Sequence, residues 1–166
     1  MGNLDFIKKL YNGKNCYSDH MSDEELELIH IHSKVEDMIL ELLESGKIVF
    51  LTGNPGDGKT FLIKRQLEKI KALNTYIETD LNRVANYEEV ANKLVECYEK
   101  ETPAIVAVNE YQFYQLCKIM KRINNNIYTE TMNVKKDCII YDIPNVSIKR
   151  IVIVDLNERS LLDKDR

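Results

Sequence analysis

The stretch KIVFLTGNPGDGKTFLIKR, Lys47 to Arg65, constrains this chain more than any other. Its β-branched and aromatic opening predicts a short buried strand, the residues from Thr60 onward predict a helix, and three of the chain's six glycines stand between them. Glycine lets the backbone turn tightly without Cβ clashes and aim several N–H groups into one hollow at a helix N-terminus, an arrangement suited to phosphate oxygens. The run GNPGDGKT places Gly53, Gly58, Lys59 and Thr60 at the fixed positions of the G-x-x-x-x-G-K-[ST] pattern. With glycine at about 7% of average usage, a chance match in a chain this long has a probability of about 0.5%.

With 166 residues and 44% hydrophobic content, the chain can close one ordinary core. A formal charge of -4 and a pI of about 5.5 exclude a surface that binds polyanions everywhere, while leaving room for local basic patches. The four cysteines, Cys16, Cys97, Cys117 and Cys138, are far apart and form no C-x-x-C pair. No secretory signal pattern precedes them and no apolar run approaches about 18 residues. These features predict buried thiols, no membrane span and a reducing, cytoplasmic setting. Gly2 is followed by Phe6 where a myristoylation site needs Ser or Thr, so that modification is excluded.

Residues 1–21 have no clean period and contain the turn signal YNGKN, and they read as a loosely attached lead-in to a P-loop NTPase domain over 22–166. Two capping boxes, Ser22 with Glu25 and Ser33 with Glu36, open helical periodicity that Gly46 ends. After the glycine loop, Ile63, Leu67 and Ile70 mark one face of a helix over TFLIKRQLEKIKAL. NTYIETD reads as a strand, Asn86 and Glu89 cap a helix toward Lys100, TPAIVAVNE is a third strand, and Phe113, Leu116, Cys117 and Met120 mark another helix. RINNNIYTETMNVKKD reads as polar connection, and the segment from Cys138 holds a short strand, a Pro144 turn and the strongest strand, IVIVD. This alternation predicts an α/β fold, a mainly parallel sheet with helices on both faces.

The loop from Gly53 through Asn54, Pro55, Gly56, Asp57, Gly58, Lys59 and Thr60 is the expected cofactor-binding segment. Lys59 is expected to reach the β and γ phosphates, and the Thr60 hydroxyl to take one place around Mg²⁺. Hydrolysis further needs an acid on the metal side and a carboxylate that orients the attacking water. Two strand ends offer them: Asn109 and Glu110 after AIVAV, and Asp155 with Asn157 and Arg159 after IVIV. Glu110 is favoured as the water-activating carboxylate, Asn157 as a polar group near the terminal phosphate, and Asp155 as the metal-side acid. Asn109 stands where an acid is usual, which weakens metal binding there. His30 and His32, two apart on a helix, cannot share a metal. Tyr111, Phe113 and Tyr114 fit a core or lid face better than base stacking, and Lys64, Arg65, Lys69 and Lys71 read as a solvated helix face.

Taken together and in order, FLTGNPGDGKT, IVAVNE and IVIVDLNERSLL resemble a group of bacterial P-loop, AAA+-like ATPases that includes the ATPase component of phosphorothioation-dependent DNA restriction systems. The resemblance runs from about Glu25 to Asp163 and implies ATP with Mg²⁺, a role in defence against foreign DNA, and contacts with other restriction subunits and DNA. Tyr111 departs from it, standing where a glycine is expected after NE. The resemblance also implies a longer parent protein, since the helical lid and late arginine motif of such ATPases do not follow IVIVDLNE. An arginine supplied by a neighbouring copy would favour a homo-oligomer.

Three functional classes follow. The first is an ATPase doing conformational work on a nucleic-acid or protein target. The second is a nucleotide-binding switch without appreciable turnover, which Asn109 favours. The third, a small P-loop kinase, needs a cationic lid, and only six arginines are present with none clustered after the loop.

Overall fold

The computed structural model describes residues 34–141 and 149–158. Six helices and four strands alternate in it: α1 (Lys34–Glu44), β1 (Ile48–Thr52), α2 (Lys59–Arg65), α3 (Leu67–Ala72), β2 (Tyr76–Glu78), α4 (Tyr87–Lys100), β3 (Ala104–Ala107), α5 (Glu110–Ile123), α6 (Asn125–Tyr141) and β4 (Ile151–Asp155). The strands form one parallel sheet in the order β2-β3-β1-β4, with Thr52 paired to Asp155 at the end of the β1–β4 ladder. β1 is buried along its whole length, as a central strand covered on both faces must be.

The period-2 geometry of strands sorts the core into two halves. Ile48 and Phe50 of β1 share one cluster with Val106, Ile153, Val90 and Leu94 of α4, Phe113 and Leu116 of α5, and Ile127 and Val134 of α6. Val49 and Leu51 share the other with Ile105, Val152, Leu42 and Leu43 of α1, Leu62 and Ile63 of α2, and Ile70 of α3. Helices therefore cover both faces of a parallel sheet, as the alternation predicts.

The helix that follows β1 lies on one face, and the helix that follows β3 lies on the other. These two strands are neighbours. Chains that leave adjacent parallel strands toward opposite faces open a crevice at their carboxyl ends, the usual ligand position in open α/β sheets.

The structure corrects the sequence reading in three places. The expected polar connection after Arg122 is α6, and the short strand expected from Cys138 is the end of that helix. Most of this helix is polar, but Ile127, Thr131 and Val134 recur at i, i+4 and i+7 and are buried. The Thr131 hydroxyl is satisfied within the helix by donating to the Ile127 carbonyl at 2.7 Å. The single helix expected over TFLIKRQLEKIKAL is broken at Gln66, whose N–H donates to the Ile63 carbonyl in a tightened turn.

Glu130 of α6 ties this helix to the sheet. Its Oε1 accepts from the N–H groups of Arg150 at 2.6 Å and Ile151 at 3.1 Å, and its Oε2 from the Tyr98 hydroxyl at 2.8 Å. The start of β4 is thereby held against α4 and α6. The lead-in over 1–21, the Ser22 box, Ser33, His30, His32, Cys16, the Pro144 turn and Arg159 lie outside the described residues.

Candidate functional site

At the carboxyl end of β1, Gly53, Gly56 and Gly58 have φ of 147°, 94° and 83°, values that L side chains rarely adopt. Gly53 is also sterically closed: a Cβ there would stand 2.8 Å from Asp57 Oδ2 and 3.3 Å from Leu156 Cβ. Asp57 folds back so that its carboxylate accepts from the Asn54 N–H. Gly58 is the N-cap of α2 and brings no side chain, so the first turn is left without a side-chain cap and its first intrahelical bond is Leu62 N–H to the Gly58 carbonyl. A loop of three positive-φ glycines thus joins β1 to the start of α2, where the sequence places it.

The Lys59 ammonium turns back over the loop and donates to the carbonyls of Gly53 at 2.8 Å and Asn54 at 2.7 Å. Burial pushes its pKa below the ordinary lysine range, while the nearby Asp57 and Asp155 carboxylates pull the other way. Thr60 donates its hydroxyl to the Thr79 carbonyl at 3.1 Å. A hydroxyl that donates elsewhere keeps its lone pairs for a cation, which suits the expected Mg²⁺ role.

The two strand ends arrive on either side of this loop. Asn157 Oδ1 accepts from the Asn54 side-chain amide at 2.6 Å and from the Asn54 N–H at 3.2 Å, and the Asn157 N–H donates to Asp155 Oδ1 at 2.9 Å. Asn157 thus fastens the exit of β4 to the loop. Asn109 plays a structural part and forms a capping box with Gln112, its Oδ1 accepting from the Gln112 N–H at 2.9 Å while Gln112 Oε1 accepts from the Asn109 N–H at 3.0 Å. Glu110, the first residue of α5, is 72% exposed at its side chain.

These groups share one open cleft of about 370 Å³, counting solvent at its mouth. Thr52, Gly53 and Asn54 form one wall, Asn109, Glu110 and Phe113 another, and Asp155 and Asn157 a third. Lys59 and Thr60 sit beside the cleft within the loop and α2, outside its lining. Lys135 of α6 also lines it, with Nζ 4.0 Å from Glu110 Oε1 and 5.9 Å from the centre of the Phe113 ring. Sequence reasoning missed Lys135 because it placed that residue in a polar connection, and no local motif marks it.

Other candidates fall away. Phe113 is core, edge-on to Phe50 with ring centres 5.3 Å apart, whereas Tyr111 is 69% exposed. Lys69 and Lys71 are exposed, and Lys71 pairs with Glu68 at 3.2 Å. Cys97 and Cys117 are buried free thiols, and burial pushes Cys117 up to about 12. The side chain of Cys138 lies outside the described residues. Among the described residues no group of three or more His, Cys, Asp or Glu could hold a metal ion, so a cation here would depend on Thr60, Asp155, waters and phosphate oxygens, as Mg²⁺ commonly does. No helix among them is long and apolar enough to cross a membrane. No family model matches this chain, and no curated protein or solved structure matches it.

Proposed function

We propose that this chain binds a nucleoside triphosphate with Mg²⁺ at the 53–60 loop and hydrolyses it. The observation that carries the reading is the placement of the glycine loop. It lies at the crevice where β1 and β3 send their helices to opposite faces, with acidic side chains arriving from the strands on both sides of β1.

In this reading, backbone N–H groups of the loop and the uncapped first turn of α2 donate to phosphate oxygens, and Lys59 exchanges its two loop carbonyls for the β and γ phosphates. Thr60 and Asp155 hold the metal side of the site. Mg²⁺, when bound, neutralises charge on the phosphates and orients them. Glu110 orients or deprotonates the attacking water, and Asn157 keeps Asp155 and the loop in register beside the terminal phosphate.

ATP as the nucleotide, and work in a DNA-restriction or phage-defence system with partner subunits and DNA, rest on the resemblance of the three sequence blocks to phosphorothioation-dependent restriction ATPases. The same resemblance supports an AAA+-like core and self-association through an arginine supplied by a neighbouring copy. A second reading, a nucleotide switch without turnover, is favoured by Asn109, whose side chain caps α5 where an acid would assist the metal.

The test is Mg²⁺-ATP binding by calorimetry together with phosphate release, with GTP as competitor. Binding with release supports the ATPase, and tight binding without release supports the switch. Absence of binding to any nucleotide would sink both.

A further inference from the structure

Lys135 is 12% exposed at its side chain, and it lines the same cleft as Gly53, Glu110 and Asp155. A lysine stem this well covered leaves its ammonium little choice of direction, and an ammonium directed into a cleft calls for a counter-charge. Glu110 supplies little of it, since the two groups are 4.0 Å apart and the carboxylate is mostly in water. The Phe113 ring at 5.9 Å adds a weak attraction at the edge of the effective range. Among the described residues the ammonium thus has one ion-pair partner, Glu110 at 4.0 Å, in the cleft that the glycine loop lines.

From this geometry, and resting on the nucleotide-site reading above, we propose that Lys135 binds the terminal phosphate of the triphosphate and so makes the site discriminate triphosphate from diphosphate. Lys59 approaches from the loop side and Lys135 from α6, across the cleft from the loop wall. A terminal phosphate would draw Lys135 away from Glu110, leaving that carboxylate to act on water. The chain then carries a cation for the terminal phosphate within the α/β core itself.

The experiment compares the affinity of the full chain for a non-hydrolysable ATP analogue and for ADP, with Mg²⁺, before and after Lys135→Met. Methionine keeps an unbranched stem of similar length without the charge. The expected result is a loss of roughly tenfold or more for the triphosphate and less than about twofold for ADP, with Lys135→Arg restoring most of the preference. Equal losses for both nucleotides, or an unchanged ratio with slowed turnover, would make Lys135 a holder of Glu110 and overturn the proposal. Binding of neither nucleotide by the unaltered chain would remove the site reading and this inference together, whereas an unchanged ratio removes the inference alone. A second readout needs no variant: amine acetylation of Lys135, mapped by mass spectrometry, should be slowed by the triphosphate analogue and not by ADP. Equal labelling in both would count against it.

Discussion

Asp155 is the register partner of Thr52 in the β1–β4 ladder, so its backbone is about 4.8 Å from the residue that enters the glycine loop. Burial lowers the Lys59 pKa overall, and the carboxylates of Asp57 and Asp155 partly oppose that shift. Glu110 comes instead from beyond β3, on the opposite side of β1 and largely in solvent. The two acids flank the loop and are not interchangeable.

Their variants should therefore separate. Glu110→Gln is expected to keep Mg²⁺-ATP affinity within about twofold and lower phosphate release by roughly a hundredfold or more, the scale of general-base loss. Asp155→Asn should weaken the Mg²⁺-dependent part of binding. Calorimetry with and without Mg²⁺, paired with a phosphate-release assay, distinguishes them, and reversed phenotypes would exchange the assigned roles.

Lys59→Ala removes an ammonium whose protein contacts are two loop carbonyls and no core volume. Nucleotide affinity should fall by about ten- to a hundredfold or beyond, as one or two charge-assisted bonds are lost. The thermal midpoint should move by no more than a few degrees. A folded variant with unchanged affinity would contradict the phosphate role of the loop.

Gly53→Ala should destabilise the fold itself. The new methyl meets Asp57 Oδ2 and Leu156 at a φ of 147°, and the strain is of the order of 1–3 kcal/mol. Denaturant unfolding measures it directly. Gly56→Ala meets no atom within 4 Å and bears only the backbone cost of its φ of 94°, so it should lose less.

A half-buried phenol and a buried thiol predict an alkaline limit to stability. Desolvation pushes the Tyr76 phenol up to about 12, with Glu78 adding to it, and burial pushes the Cys117 thiol to a similar value. In the unfolded chain these groups titrate near about 10 and about 8.5. The folded state thus holds more protons above those values, so the contribution of these two groups should be fully present below about pH 8 and be lost as pH rises from about 8.5 through 12. Equilibrium unfolding across that range checks the sign. Peptide mapping after alkylation at pH 8 should find Cys117 unmodified until the chain unfolds.

How much of this was legible without coordinates depends on how local each signal is. The strand, loop and helix around GNPGDGKT are a short-range pattern in which each glycine answers a backbone need within a few residues, and Asn86 caps α4 as its position predicts. The helix α6 was not legible. Its buried Ile127, Thr131 and Val134 are spread through asparagines, lysines and threonines, and only packing against the sheet shows which face is inside. Asn109 was legible as a departure from an acidic position, but its capping role required Gln112 to be seen reaching back.

Local sequence was enough to establish the glycine loop between strand and helix, the parallel α/β architecture with helices on both faces, and the identity of the acidic residues at two strand ends. Those follow from glycine conformational freedom and from the period-2 and period-3.6 placement of apolar residues, which act over a few positions. It took the folded chain to put β3 and β4 on opposite sides of β1, to clasp Asn157 onto Asn54, and to bring Lys135 into the cleft. Strand order and cross-cleft contacts join residues tens of positions apart. They are selected by which helix faces can be buried together, a property of the whole core rather than of any segment.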